Sequence, residues 1–162
     1  MTLIIGRRPA GDPEHAEYRV TEGWTGKLRF TARNEEDGKV FHVRDGSGVY
    51  LATLERTSVN RQRVVGFTVY KDTLFAGEML AFPDRTWSKE WQDPTVYVLY
   101  RHWHVSHGWI TGENRLTAAT VTDAVIGKKL TVHDPADALD ALLAALALFL
   151  YRDCYGKDRF EP

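Results

Sequence analysis

The chain has one cysteine, Cys154, in 162 residues. One thiol cannot close an intramolecular disulfide or supply a cysteine-rich zinc site, so the composition fits a reducing compartment. Charge of one sign is also missing: 21 Lys and Arg stand against 22 Asp and Glu, a formal net charge of −1. Without a basic surplus there is no electrostatic footprint for nucleic acid, and no run of like charges marks a binding tail. Long hydrophobic runs are absent as well. The stretch Ala141–Tyr151, ALLAALALFLY, would cover about half of a bilayer's hydrocarbon core at about 1.5 Å per residue. The N-terminal MTLIIGRRPAGDPEH has four apolar residues before Arg7 and Arg8, short of a secretory signal. These shortages predict a cytoplasmic protein, at most peripheral to a membrane, with no transmembrane segment and no nucleic-acid partner.

Catalytic signatures are scarce too. No Gly-rich phosphate loop opens a helix, and there is no GxSxG elbow or HExxH pair. Glu35, Glu36 and Asp37 cluster where a tight turn uses acidic side chains to bond its own backbone. Cys154 falls at the negative end of a helix, an unfavourable place for a thiolate.

What the chain does have is one strong helix, in DPADALDALLAALALFLYRDC, Asp134 to Cys154. Asp134 suits the N-cap, Pro135 the first helical position and Asp137 the positive end of the dipole, while Arg152 and Gly156 mark the stop. Between Leu139 and Tyr151 only Asp140 is polar. A helix apolar on every side has to be enclosed.

Everything before it reads as strand. Residues 6 to 15 are rich in Gly, Pro and charge, and residues 1–15 are expected to be an extended lead-in to a single domain over 16–162. Lys27–Arg33 alternates apolar and polar residues, Glu36-Asp37-Gly38 turns, and Val40–Val43 returns. Further strands are expected at residues 49–57, Val64–Tyr70, Leu74–Phe82, Thr95–His107, Arg115–Thr122 and Ile126–His133, with TWSKEWQDP, residues 86–94, as a loop. Turn signals at this spacing indicate a sandwich or barrel. An open α+β sheet would leave half of the final helix exposed. A mostly β fold (α+β), a closed antiparallel barrel enclosing a hydrophobic C-terminal helix at about residues 135–154, removes the sheet edges and surrounds that helix.

The C-terminal third supplies, in order, the aromatic strand RHWHV, a turn, a strand through Ala118–Val121, the strand KKLTV, the acidic start DPAD and the apolar helix. Upstream, LRFTARNEEDGKVFHV and GVYLATLER form hairpins with Asp-Gly turns. Across residues 18 to 155 this order resembles the tubby C-terminal-domain-like superfamily, in particular its LURP-one-related and phospholipid-scramblase-like members. The resemblance implies a β-barrel threaded by a hydrophobic helix, and a role in binding: tubby proteins are phosphoinositide-binding adaptors, and scramblases act on membranes. The chain ends in GKDRFEP and lacks an acidic calcium loop, so lipid scrambling is not carried over.

A phosphoinositide site needs several cations at close range. Arg56, Arg61 and Arg63 in ERTSVNRQR are the candidates, with Lys128 as a possible addition; Lys129 beside it points to the other face. An ordinary solvated hairpin is the competing reading. His102 and His104, two apart on a strand, share a face and are the best metal candidates. No carboxylate shares their spacing, and Trp103 between them fits plain strand alternation. His133 reads as a local hydrogen-bonding residue beside the cap. The tryptophans, Trp24, Trp87, Trp91, Trp103 and Trp109, read as core or rim packing. The expectation is a non-enzymatic binding or adaptor module without a cofactor, its partner a protein or an anionic lipid headgroup; a His-based metal protein or enzyme is the alternative.

Overall fold

The computed structural model describes residues 1–8, 17–35, 39–59, 64–83, 94–125 and 127–154, with backbone alone for 7, 8 and 152–154. Among them twelve antiparallel strands close into a barrel. In chain order they are β1 (Thr2–Arg8), β2 (Glu17–Glu22), β3 (Leu28–Glu35), β4 (Val40–Asp45), β5 (Tyr50–Val59) and β6 (Val65–Lys71). The second half is β7 (Leu74–Phe82), β8 (Thr95–Val98), β9 (Trp103–Ser106), β10 (Trp109–Thr111), β11 (Thr117–Asp123) and β12 (Lys128–Val132). Each strand pairs with its neighbours in sequence, and β12 returns to β1. The chain then folds inward as α1 (Ala138–Cys154).

The closing seam corrects one expectation. Residues 1–15, read as a lead-in, contain β1, which pairs Leu3 with Leu130 on one side and with Glu22 on the other. Leu3 and Ile5 point into the core. Their alternation in TLIIG is short enough to pass for an apolar stub, and only the partner strand makes it structural. At Gly127 (φ 80) an added Cβ would stand 2.1 Å from the Ile5 carbonyl oxygen, so the β11–β12 turn needs glycine to pass this seam. Sequence alternation also passed over β2 and the three-residue β10. The strand expected over Thr95–His107 is broken: a 3-10 turn at Leu99–Arg101 ends with His102 in the left-handed region (φ 53). The expected turn at residues 36–38 and the loop with Trp87 and Trp91 lie outside the described residues.

α1 occupies the barrel. Asp134 accepts from the Ala136 N–H at 3.0 Å, Pro135–Asp137 form a 3-10 first turn, and every residue from Asp140 to Tyr151 is buried. Antiparallel alternation puts the β6–β7 turn, the Leu99–Arg101 turn and the start of α1 at one rim; the helix runs from there toward the other. Barrels of about eight strands are filled by their own side chains. Twelve leave room for a helix, and the helix lies closest to β7, β8, β11 and β12. On the β2–β4 side, Tyr18 stacks on Phe149 with ring centroids 5.6 Å apart and meets Phe41 at 5.6 Å. Leu142, Leu143, Leu146, Leu148 and Leu150 are at most 2% exposed. Each such burial stabilises by about 2 kcal/mol, so plug and cylinder depend on each other.

Candidate functional site

Asp140 is the one charged residue in the enclosed span, its side chain 6% exposed. The Tyr100 hydroxyl donates to Oδ1 at 2.7 Å, Lys71 Nζ meets the same oxygen at 2.7 Å, and Arg101 Nη1 donates to Oδ2 at 2.6 Å. Arg101 Nη2 reaches Asp137 Oδ1 at 2.6 Å, because residues three apart on a helix share a face. The break at Leu99–Arg101 is what turns Tyr100 and Arg101 inward to this carboxylate. Gly77 makes room, since a Cβ there would stand 2.5 Å from the Tyr100 side chain. Burial pushes the Asp140 carboxyl up, but hydrogen bonds from Lys71 and Tyr100, with the Lys71 charge and Arg101, outweigh it and hold the group below its ordinary 3.8. Burial and the adjacent Asp140 charge push the Tyr100 phenol far above its ordinary range. Burial lowers Arg101, yet its two carboxylates raise it overall. Both Asp140 oxygens are occupied by cations and a phenol, so the cluster latches the helix to the rim and offers no base to a substrate. The sequence signal was present: a lone carboxylate in an apolar run must find partners.

The residues singled out in the sequence are dispersed. Arg56 is half-buried near the far rim on β5, opposite Phe67 of β6. Arg61 and Arg63 lie outside the described residues. Lys128 begins β12, five strands from Arg56 around the shorter arc of the barrel. It pairs with Asp123 and lines a 150 Å³ recess with His107 and Thr122. His104 is exposed on β9, across from Tyr97 and Thr111. His102 is also exposed, but the turn takes it off the strand on which the shared-face argument rested. Trp103 faces inward as alternation required and stacks under the Arg101 guanidinium at 4.2 Å. Among the described residues no three His, Cys, Asp or Glu gather as a metal site.

A different set of cations comes together on the outer wall. Thr31, midway along β3, has Arg19 of β2 directly across on one side and Arg44 of β4 on the other. Arg29 and Arg33, two residues away in each direction, share its outward face. Arg29 is tied to Glu22 at 2.6 Å. Arg19, Arg33 and Arg44 are exposed and form no ion pair with a described residue. Beside them an open groove of 480 Å³ is lined by His42, Arg44, Tyr50, Thr53, Tyr70 and Thr73. His42 Nδ1 is 3.2 Å from the Thr53 hydroxyl, and its Nε2 is 3.3 Å from Glu35. Tyr50 bonds the same Thr53 hydroxyl, and Tyr70 packs edge-on against Phe75. Sequence reading missed this group because Arg19, Arg33 and Arg44 each look like an ordinary solvated position. The register alone brings them together.

No match is found to a protein-family model, a curated protein or a solved structure. Among the described residues no helix is long and apolar enough to cross a membrane.

Proposed function

We propose that this chain is a non-enzymatic binding module on a tubby-like barrel scaffold, with recognition carried by the outer wall and loops. The supporting observation is the enclosed helix: Leu142, Leu143 and Leu146 are 0% exposed and fill the space in which a barrel of this width would otherwise hold a ligand. Titration with an apolar naphthalene sulfonate dye and with a long-chain fatty acid tests it. Neither should bind stoichiometrically to the folded protein. Saturable one-to-one binding that loosens the helix would mean the barrel is a container and the reading fails.

A second reading, attachment to anionic phospholipid or phosphoinositide at a membrane surface, draws support from Arg19, Arg33 and Arg44, which form no ion pair with a described residue, rather than from Arg56 and Lys128. Vesicle sedimentation with and without anionic lipid tests it. The alternative of a His-based metal protein or enzyme would require stoichiometric metal in protein purified without a histidine tag.

A further inference from the structure

We propose that the outer wall of β2–β6 is a binding site for a small phosphate monoester whose organic part is a flat ring. The proposal takes from the reading above only that recognition lies outside the barrel.

Its charged half is the arrangement about Thr31. Arg19 and Arg44 flank the same threonine from the strands on either side, and Arg33 stands one outward position along; cations gathered at this range repel one another. Diagonal and second-neighbour positions are within reach of long side chains. Guanidinium forks match phosphate oxygens bidentately, and the Thr31 hydroxyl adds a donor at the centre. A dianion there would neutralise the crowding.

The groove is the other half. It begins at Arg44, so an anion held by that arginine places its substituent among Tyr50, Thr53 and Tyr70. Tyrosine rings offer flat apolar surface for a ring to stack on. The far edge is Thr73, a β-branched residue in the left-handed region (φ 67). With Asp72 (φ 49) it makes the two-residue turn between Lys71 and Leu74, a hairpin geometry that needs positive φ at both positions.

A small ligand is favoured over a membrane because carboxylates border the cluster. Glu17 faces Arg33 across the strands, Glu35 is bound to His42, and Glu22 is bound to Arg29. An extended anionic surface would meet all three, whereas one phosphate between Arg19 and Arg44 needs only the guanidinium groups on either side of Thr31.

The test is calorimetry on the full chain with phenyl phosphate, inorganic phosphate and phenol, alongside phosphatidylcholine vesicles with and without phosphatidylserine. Phenyl phosphate should bind saturably and about tenfold tighter than inorganic phosphate. The Arg19→Gln/Arg44→Gln double variant should weaken both anions by about tenfold or more; Tyr70→Leu should weaken phenyl phosphate alone. Circular dichroism confirms the fold of each variant, and Arg19→Lys/Arg44→Lys replaces the Gln pair if that pair fails to fold. No saturable phosphate binding, or binding unchanged by the arginine substitutions, overturns the site. Equal affinity for the two phosphates overturns its ring half. Vesicle binding that depends on the arginines without phenyl phosphate binding also overturns it, in favour of a lipid surface. A failure here leaves the outer-wall reading to the dye titration.

Discussion

At its start α1, with the 3-10 turn before it, meets the barrel through Asp137 and Asp140, which face Arg101, Lys71 and the Tyr100 hydroxyl; two turns later it meets it through leucines, alanines and the rings of Phe149 and Tyr151. The apolar part supplies most of the burial, but leucines and alanines repeating along a helix suit more than one depth or rotation. The ionic part supplies little net energy once desolvation is counted. It is directional, however, and Asp140 reaches its three partners at one depth only. One end gives stability and the other fixes position.

Putting a charge in the apolar part should have the largest effect. Leu146→Asp leaves a carboxylate within the buried hydrophobic cluster, a cost of several kcal/mol or more against total domain stabilities of about 5–15 kcal/mol. The variant should be recovered unfolded or insoluble. A soluble protein with native circular dichroism would show that the helix does not need its enclosure.

Removing the latch comes next. Asp140→Ala leaves Lys71 and Arg101 without their shared anion and should cost about 3 kcal/mol, the lower end for a broken buried pair, because those cations are 36% and 32% exposed and keep water. Combining it with Lys71→Met should recover part of the loss in chemical denaturation. The folded Asp140 carboxyl is held below its unfolded value, so its stabilising contribution is complete above about pH 4 and lost as pH falls through the folded value. The wild type should therefore lose more stability than Asp140→Ala below about pH 4. Parallel acid denaturation curves would remove the latch from the account.

The smallest effect belongs to the exposed wall. Lys128→Ala breaks a pair whose Asp123 side chain is 84% exposed and should change stability by about 0.5 kcal/mol or less. A larger loss would mean that Lys128 supports the rim.

The final helix, its cap at Asp134 and the inward alternation of β3 to β7 were legible because each rests on neighbours in sequence: a side chain's own polarity and its period. β1 was not, since a short apolar stub does not announce that Leu3 will pair with Leu130 at the other end of the chain. Nor was the break at Leu99–Arg101. The pattern VYVLYRHWHV reads as continuous strand, and the partner that Tyr100 and Arg101 meet at the turn, Asp140, lies some 40 residues further on. The candidate site was the least legible part. Arg56 and Lys128 were chosen for local charge, and the barrel keeps them apart, while Arg19, Arg33 and Arg44 sit in three different strands.

Sequence by itself determined that this chain must surround its last helix, because an all-apolar helix has no face to give to water. Only the tertiary structure decided where the seam closes, what holds Asp140 and which arginines stand together. Those depend on strand register, and register is set by packing among residues far apart in the chain.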